Sequence, residues 1–152
     1  MTARPRSHNG FTLIELVVVL FLLSLAVGLV LPAVGRGIET LELRAQVAGF
    51  SAFLRYGREQ AITRRAAYEV RLDLESRLLT LIPVGSDTPK ARKQLSSRIR
   101  ISVDPPGVRA VTFSPQGFST AASFRLEAPG ARVYWVTVDP ITGRVSNHRE
   151  AG

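Results

Sequence analysis

The sequence predicts an α+β chain: one long N-terminal helix, apolar in its first half and amphipathic in its second, packed on an antiparallel β-sheet domain. Three observations carry this. An almost unbroken apolar run extends from Phe11 to Val34. From Gly37 to about Arg64 the residues are helix formers without proline, and from Ala67 onward the apolar period changes to two. The implied organisation is a polar, basic stretch over 1–10, a transmembrane half of the helix over 11–34, an amphipathic half over 35–65 and a β-rich globular region over 66–152.

Residues 1–10 are polar and basic and end in Ser7-His8-Asn9-Gly10. The apolar run that follows is broken only by Thr12, Glu15, Ser24, Gly28 and Pro32. As a helix it is about 36 Å long against about 30 Å of bilayer hydrocarbon, enough to span a membrane once. An ordinary secretory signal has an apolar region of only about 7–15 residues, although Ala33-Val34-Gly35 offers small residues for such cleavage. A plain signal anchor is the other simple reading, and Glu15 argues against it. A carboxylate inside an apolar helix costs about 2.5–3.5 kcal/mol on insertion scales, so it needs a partner or a task. Arg4 and Arg6 before the span keep the N-terminus cytoplasmic and send the bulk of the chain to the periplasm. Pro32, with Gly28, Gly35 and Gly37 around it, either ends the helix or marks a joint in it.

Beyond Gly37 the apolar residues fall on two stripes. Leu43, Val47, Phe50 and Leu54 form one face at a 4-3-4 spacing; Ile38, Leu41, Ala45, Ala48 and Ala52 lie nearly opposite. The bulky stripe is expected to pack on the chain's own sheet. The alanine-rich stripe either faces neighbouring helices in an assembly or is covered within the monomer.

The expected strands contain Tyr68-Val70-Leu72, Leu79-Leu81, Ile99-Ile101-Val103, Val108 to Phe113, Ser123 to Leu126, Val133 to Val138 and Arg144 to Asn147. Turn chemistry at Pro105-Pro106-Gly107, Pro115-Gln116-Gly117 and Pro129-Gly130 separates them. Asp139-Pro140-Ile141-Thr142-Gly143 connects a terminal hairpin, and the polar, basic stretch Pro83 to Ser97 is expected to be an exposed loop.

Composition narrows the chemistry. There is no cysteine, which excludes disulfides, thiolate metal sites and cysteine catalysis. The net charge of +8 favours acidic partners, anionic lipid or nucleic acid. The histidines are His8, in the polar N-terminal stretch, and His148, and no nucleophile, zinc or phosphate-loop motif occurs. Asp73 and Glu75 stand beside Arg71 and Arg77, where surface ion pairing is expected, and Asp104 and Asp139 stand alone beside prolines. No catalytic residue, metal site or cofactor follows, and an enzyme is not expected.

Gly10-Phe11-Thr12-Leu13-Ile14-Glu15-Leu16-Val17-Val18-Val19 resembles the type III leader shared by type IV pilins and type II secretion pseudopilins. The resemblance implies a prepilin peptidase that cuts after Gly10 and methylates the new amino group of Phe11. It makes Glu15 the acid that pairs with a neighbouring subunit's N-terminus, and Pro32 the flexible joint common in pilin-class helices. The physics is consistent with the pair, because a free α-amino group with a pKa of about 8 is cationic at neutral pH and offsets a carboxylate in low dielectric.

Leu54-Arg55-Tyr56-Gly57-Arg58-Glu59-Gln60-Ala61-Ile62, Phe113-Ser114-Pro115-Gln116-Gly117 and Asp139-Pro140-Ile141-Thr142-Gly143-Arg144-Val145 resemble the GspH/FimT group of minor pseudopilins and minor pilins. This implies a pilin-like fold and a minor subunit of the type II secretion pseudopilus, assisting export of folded proteins across the outer membrane. The implied partners are prepilin peptidase, other pseudopilins through helix packing, and the inner-membrane assembly platform. The alternative is a FimT-like minor type IV pilin acting in pilus assembly or DNA uptake through a Gly-Arg-x-Arg pattern. Here Gly143-Arg144-Val145-Ser146 keeps the first arginine and lacks the second, leaving Arg144 and Arg149 as candidate nucleic-acid contacts, with Arg92, Lys93, Arg98 and Arg100 as further cations.

Overall fold

Helix α1 runs from Leu13 to Arg64 in the computed structural model, which describes residues 11–128 and 133–150, with the side chains of 29–40 outside that description. The helical assignment continues unbroken past Pro32. The chain divides into two units, Met1–Gly37 and Ile38–Gly152.

In the first unit the described apolar side chains are exposed on every side of the helix, from Leu13, 82% exposed, to Val27, 56% exposed. A helix that is apolar all round has no water-facing side, so this surface needs a non-aqueous covering. Among the described residues no helix is long and apolar enough to cross a membrane. The expected span, 11–34, ends in 29–34, whose side chains lie outside the described residues, as does that of Pro32.

In the second unit α1 ends in a Schellman arrangement: Ala66 N–H donates to Ala61 O and Arg65 N–H to Ile62 O, with Arg65 in the left-handed region at φ 52°. Eight strands follow: β1 (Tyr68–Asp73), β2 (Leu78–Pro83), β3 (Ala91–Gln94), β4 (Arg100–Asp104), β5 (Ala110–Phe113), β6 (Ala122–Glu127), β7 (Tyr134–Val138) and β8 (Val145–Arg149). They form two four-stranded antiparallel sheets of order β3-β2-β1-β5 and β4-β6-β7-β8. Alternation drives each of them. Tyr68, Val70 and Leu72 of β1 and Ala122, Phe124 and Leu126 of β6 point inward, while the residues between them are less buried.

Both sheets meet the same helix stripe. Leu43, Phe50 and Leu54 are fully buried, Val47 nearly so, and the Phe50 ring lies 4.9 Å from that of Phe124, tilted by 59°. The opposite stripe is not covered: Leu41 is 69% exposed, and Ala45, Ala48 and Ala52 are exposed with it. Burial within the monomer is thereby excluded for these four; Ile38 lies outside the described side chains.

Two expectations are corrected. Pro83 to Ser97 is not one exposed loop, since Ala91–Gln94 pairs with β2 as an edge strand and Leu95 is buried. Its charges hide the alternation, because Lys93 lays its aliphatic stem over the helix at Gly49, where a β-carbon would come within 2.8 Å of Nζ. Asp73 and Glu75 do not pair with Arg71 and Arg77 among the described residues. Asp73 instead accepts from the amides of Glu75 and Ser76 and from the Ser76 hydroxyl, which holds its carboxyl below the usual range. Arg71 pairs with Glu69, and Arg77, at φ 54°, donates to the carbonyls of Ser96 and Ile99.

Candidate functional site

Two places in the chain gather the candidate side chains, one in each unit. The first is the start of α1. The helix begins at Leu13, and the Glu15 amide donates to Thr12 Oγ1 at 3.3 Å. Thr12-Leu13-Ile14-Glu15 is therefore an N-cap with an acid at the third helical position, the spacing of a capping box. That local role was legible in the T-x-x-E spacing and escaped the reading of Glu15 as an assembly acid. The helix dipole also favours a carboxylate in this first turn. Phe11 is 75% exposed, and Gly10 lies outside the described residues.

The second place surrounds the β7–β8 hairpin. Its turn is built by Asp139, whose Oδ1 accepts from Ile141 N at 3.0 Å, Thr142 N at 2.8 Å and Thr142 Oγ1 at 2.9 Å. The Thr142 amide and hydroxyl hold the Asp139 carboxyl below the usual range. Gly143, at φ 61°, closes the turn, and Arg58 Nε of α1 donates to Thr142 O at 3.0 Å. Ser51, fully buried in α1, places its hydroxyl 2.6 Å from Asn147 Oδ1 and so ties the helix to β8.

A groove of about 700 Å³ opens between the last turns of α1 and the start of β8. Arg55, Arg58, Glu59 and Ile62 line it from the helix, and Arg144 and Val145 from the hairpin. Arg55 Nη2 donates to Val145 O at 3.4 Å. Arg149, the other candidate contact, does not join Arg144: the two are roughly 17 Å apart along the strand. Arg149 lines a second groove of about 260 Å³ with Arg44 and Tyr134, where Arg44 Nε lies 3.4 Å from Tyr134 Oη. Of the further cations, Arg98 is paired with Glu42 and Lys93 lies on the helix. The partners of Arg144 are thus helix residues. The i, i+3 spacing of Arg55 and Arg58 on one helix face was the available signal for them. Among the described residues no group of acidic or histidine side chains could hold a metal ion.

Asp139 gives the hairpin a defined pH response. Its folded-state pKa is depressed, so its contribution to stability is fully present above the unfolded carboxylate pKa of about 3.9. That contribution is lost as the pH falls through the folded value. The unfolding midpoint of wild type is expected to fall more steeply on acidification than that of Asp139→Asn; parallel curves would show that the turn does not depend on the charge.

Comparison with known proteins identifies the family and the fold. The family model described as the prokaryotic N-terminal methylation motif matches residues 5–31, and that described as type II transport protein GspH matches residues 46–142. No curated protein sequence matches the chain. Among solved structures, the type IV minor pilin FimU of Pseudomonas aeruginosa is similar with a TM-score of 0.60 and 18% identity, over 70% of this chain and 88% of that one. The minor pseudopilin EpsH of the Vibrio cholerae type II secretion system is similar with a TM-score of 0.60 and 16% identity, over 74% and 97%. At these identities the likeness shows the fold, a helix packed with antiparallel sheet, and does not separate the two systems. The methylation motif and the GspH match, which spans more than half of the sequence, establish that the chain belongs to the GspH family of pilin-like type II transport proteins.

Proposed function

We propose that the chain is a minor pseudopilin, a structural subunit of a type II secretion pseudopilus that assists export of folded proteins across the outer membrane. The observation that carries this reading is the presence, in one chain, of the methylation motif over 5–31 and the GspH region over 46–142. Prepilin peptidase cuts after Gly10 and methylates Phe11. Segment 11–34 holds the chain in the inner membrane with its N-terminus cytoplasmic and residues 66–152 in the periplasm. The assembly platform then passes it to the filament, where Glu15 meets a neighbour's N-terminus and Pro32 serves as a joint. The all-round apolar exposure of the first helical unit supports this course, since lipid covers such a surface before assembly and neighbouring helices cover it afterwards. In the second unit, the exposed stripe of Leu41, Ala45, Ala48 and Ala52 offers a packing surface of its own. No catalytic step is assigned to the chain.

A type IV pilus subunit is the second reading, favoured by the likeness to FimU, a minor pilin, at the same TM-score as EpsH. There the chain would act in pilus assembly, with Arg144 and Arg149 as DNA contacts.

Mass spectrometry of the chain purified from host membranes is expected to find a mature N-terminus at N-methylated Phe11. Retention of residues 1–10, or loss of 11–34, would overturn filament membership. Deletion of the gene separates the two systems: accumulation of folded export substrates in the periplasm with surface pili intact supports the pseudopilus. Loss of pili with normal export transfers the chain to the pilus.

A further inference from the structure

The groove between α1 and the start of β8 carries more positive charge than the fold uses. Arg55, Arg58 and Arg144 face it against the single carboxylate of Glu59, and among the described residues none of the three arginines forms an ion pair. Two of them serve the hairpin through one nitrogen each, Arg58 on Thr142 O and Arg55 on Val145 O, which leaves the rest of each guanidinium unused. Arg144 makes no side-chain hydrogen bond among the described residues. Ile62, 40% exposed, adds an apolar patch to the same lining. The groove also borders a sheet edge: β8 is the last strand of its sheet, and the Val145 carbonyl points away from β7 to reach Arg55.

We propose that this groove binds an extended, acidic peptide segment of a protein partner. Its carboxylates meet Arg144 and the unused nitrogens of Arg55, and an apolar side chain between them covers Ile62. The lining distinguishes this ligand from a nucleic acid. Ile62 offers nothing to a phosphodiester chain, and Arg149, the cation that would extend a phosphate track from Arg144, lies in the other groove. The inference goes beyond filament membership and holds for a pseudopilus or a pilus alike.

The test uses the full chain in a non-ionic detergent and a fluorescein-labelled peptide of alternating glutamate and leucine, followed by anisotropy. Saturable binding that weakens with salt is expected, together with loss of binding when glutamine replaces glutamate in the peptide and no displacement by a short DNA duplex. Arg144→Gln and Arg55→Gln are each expected to weaken binding by about tenfold or more, as for a charge-assisted hydrogen bond. Among the described residues Arg144 holds no part of the fold through a side-chain hydrogen bond, so its variant is expected to keep the wild-type unfolding temperature, which separates lost contact from lost structure. The proposal is overturned if the peptide does not bind, if a folded Arg55→Gln, Arg144→Gln double variant binds like wild type, or if the glutamine peptide binds equally well. Competition by the duplex at this groove would overturn it in favour of a phosphate site.

Discussion

Glu15→Ala is expected to leave cleavage after Gly10 intact and to remove the chain from filaments. In the proposed course the peptidase acts on the junction before Phe11, whereas the Glu15 carboxylate would matter only once other helices surround this one. In the isolated chain that carboxylate lies in an exposed first turn, where the helix dipole supports it. In the proposed assembly it and a neighbouring α-amino group would lose water together, each tolerable only with the other. Removing one member of a buried pair costs about 3–5 kcal/mol in general. Each 1.4 kcal/mol is about tenfold, so incorporation is expected to drop by two or more powers of ten. The capping role of Glu15 predicts something different, which makes Glu15→Gln the decisive variant. Glutamine serves a capping box as well as glutamate does, but carries no charge. If pairing is the function, Glu15→Gln is processed and stays out of sheared filaments on immunoblots. Incorporation of Glu15→Gln at the wild-type level would instead make Glu15 a cap.

What the sequence reveals and what it hides differ by range. The bulky helix stripe was legible because Leu43, Val47, Phe50 and Leu54 repeat at helical spacing, and their burial follows from that alone. The terminal hairpin was legible through the turn chemistry of Asp139, which the structure shows as three hydrogen bonds to one carboxylate oxygen. Strand β3 was not, because Arg92, Lys93 and Gln94 look solvated until the stem of Lys93 is seen to cross the helix at Gly49. The division into two sheets was hidden for another reason. β4 pairs with β6 rather than with its sequence neighbour β3, a choice made by long-range contacts that no local period records. The same limit applies to the basic groove. Arg144 was singled out from its neighbours in sequence, yet the residues that join it are Arg55 and Arg58, brought from the far side of the chain by the docking of the hairpin on α1.

That docking depends on Gly143, and Gly143→Ala is expected to be among the most damaging single changes outside the main core. Two penalties act at once. The backbone φ of 61° lies in the left-handed region, which costs a residue with a β-carbon about 1–2 kcal/mol. The added carbon would also lie 2.5 Å from the Gly117 carbonyl oxygen and 3.1 Å from Arg58 Nε. Arg58 can swing away, but a backbone carbonyl moves only with its turn, and overpacking of this kind costs about 1–3 kcal/mol. Together these predict a loss of roughly 2–5 kcal/mol. Gly85→Ala supplies the control. Gly85 has φ 85°, and a β-carbon there would meet nothing within 4 Å, so only the conformational cost remains. The unfolding temperature is therefore expected to fall clearly further for Gly143→Ala than for Gly85→Ala. The Gly143 variant is also expected to lose the Arg58 contact to Thr142 O and with it the shape of the groove, so that acidic-peptide binding falls even where the domain stays folded. Equal destabilisation by the two variants, with peptide binding unchanged, would mean that the hairpin does not rest on the close approach of Gly143 to Gly117.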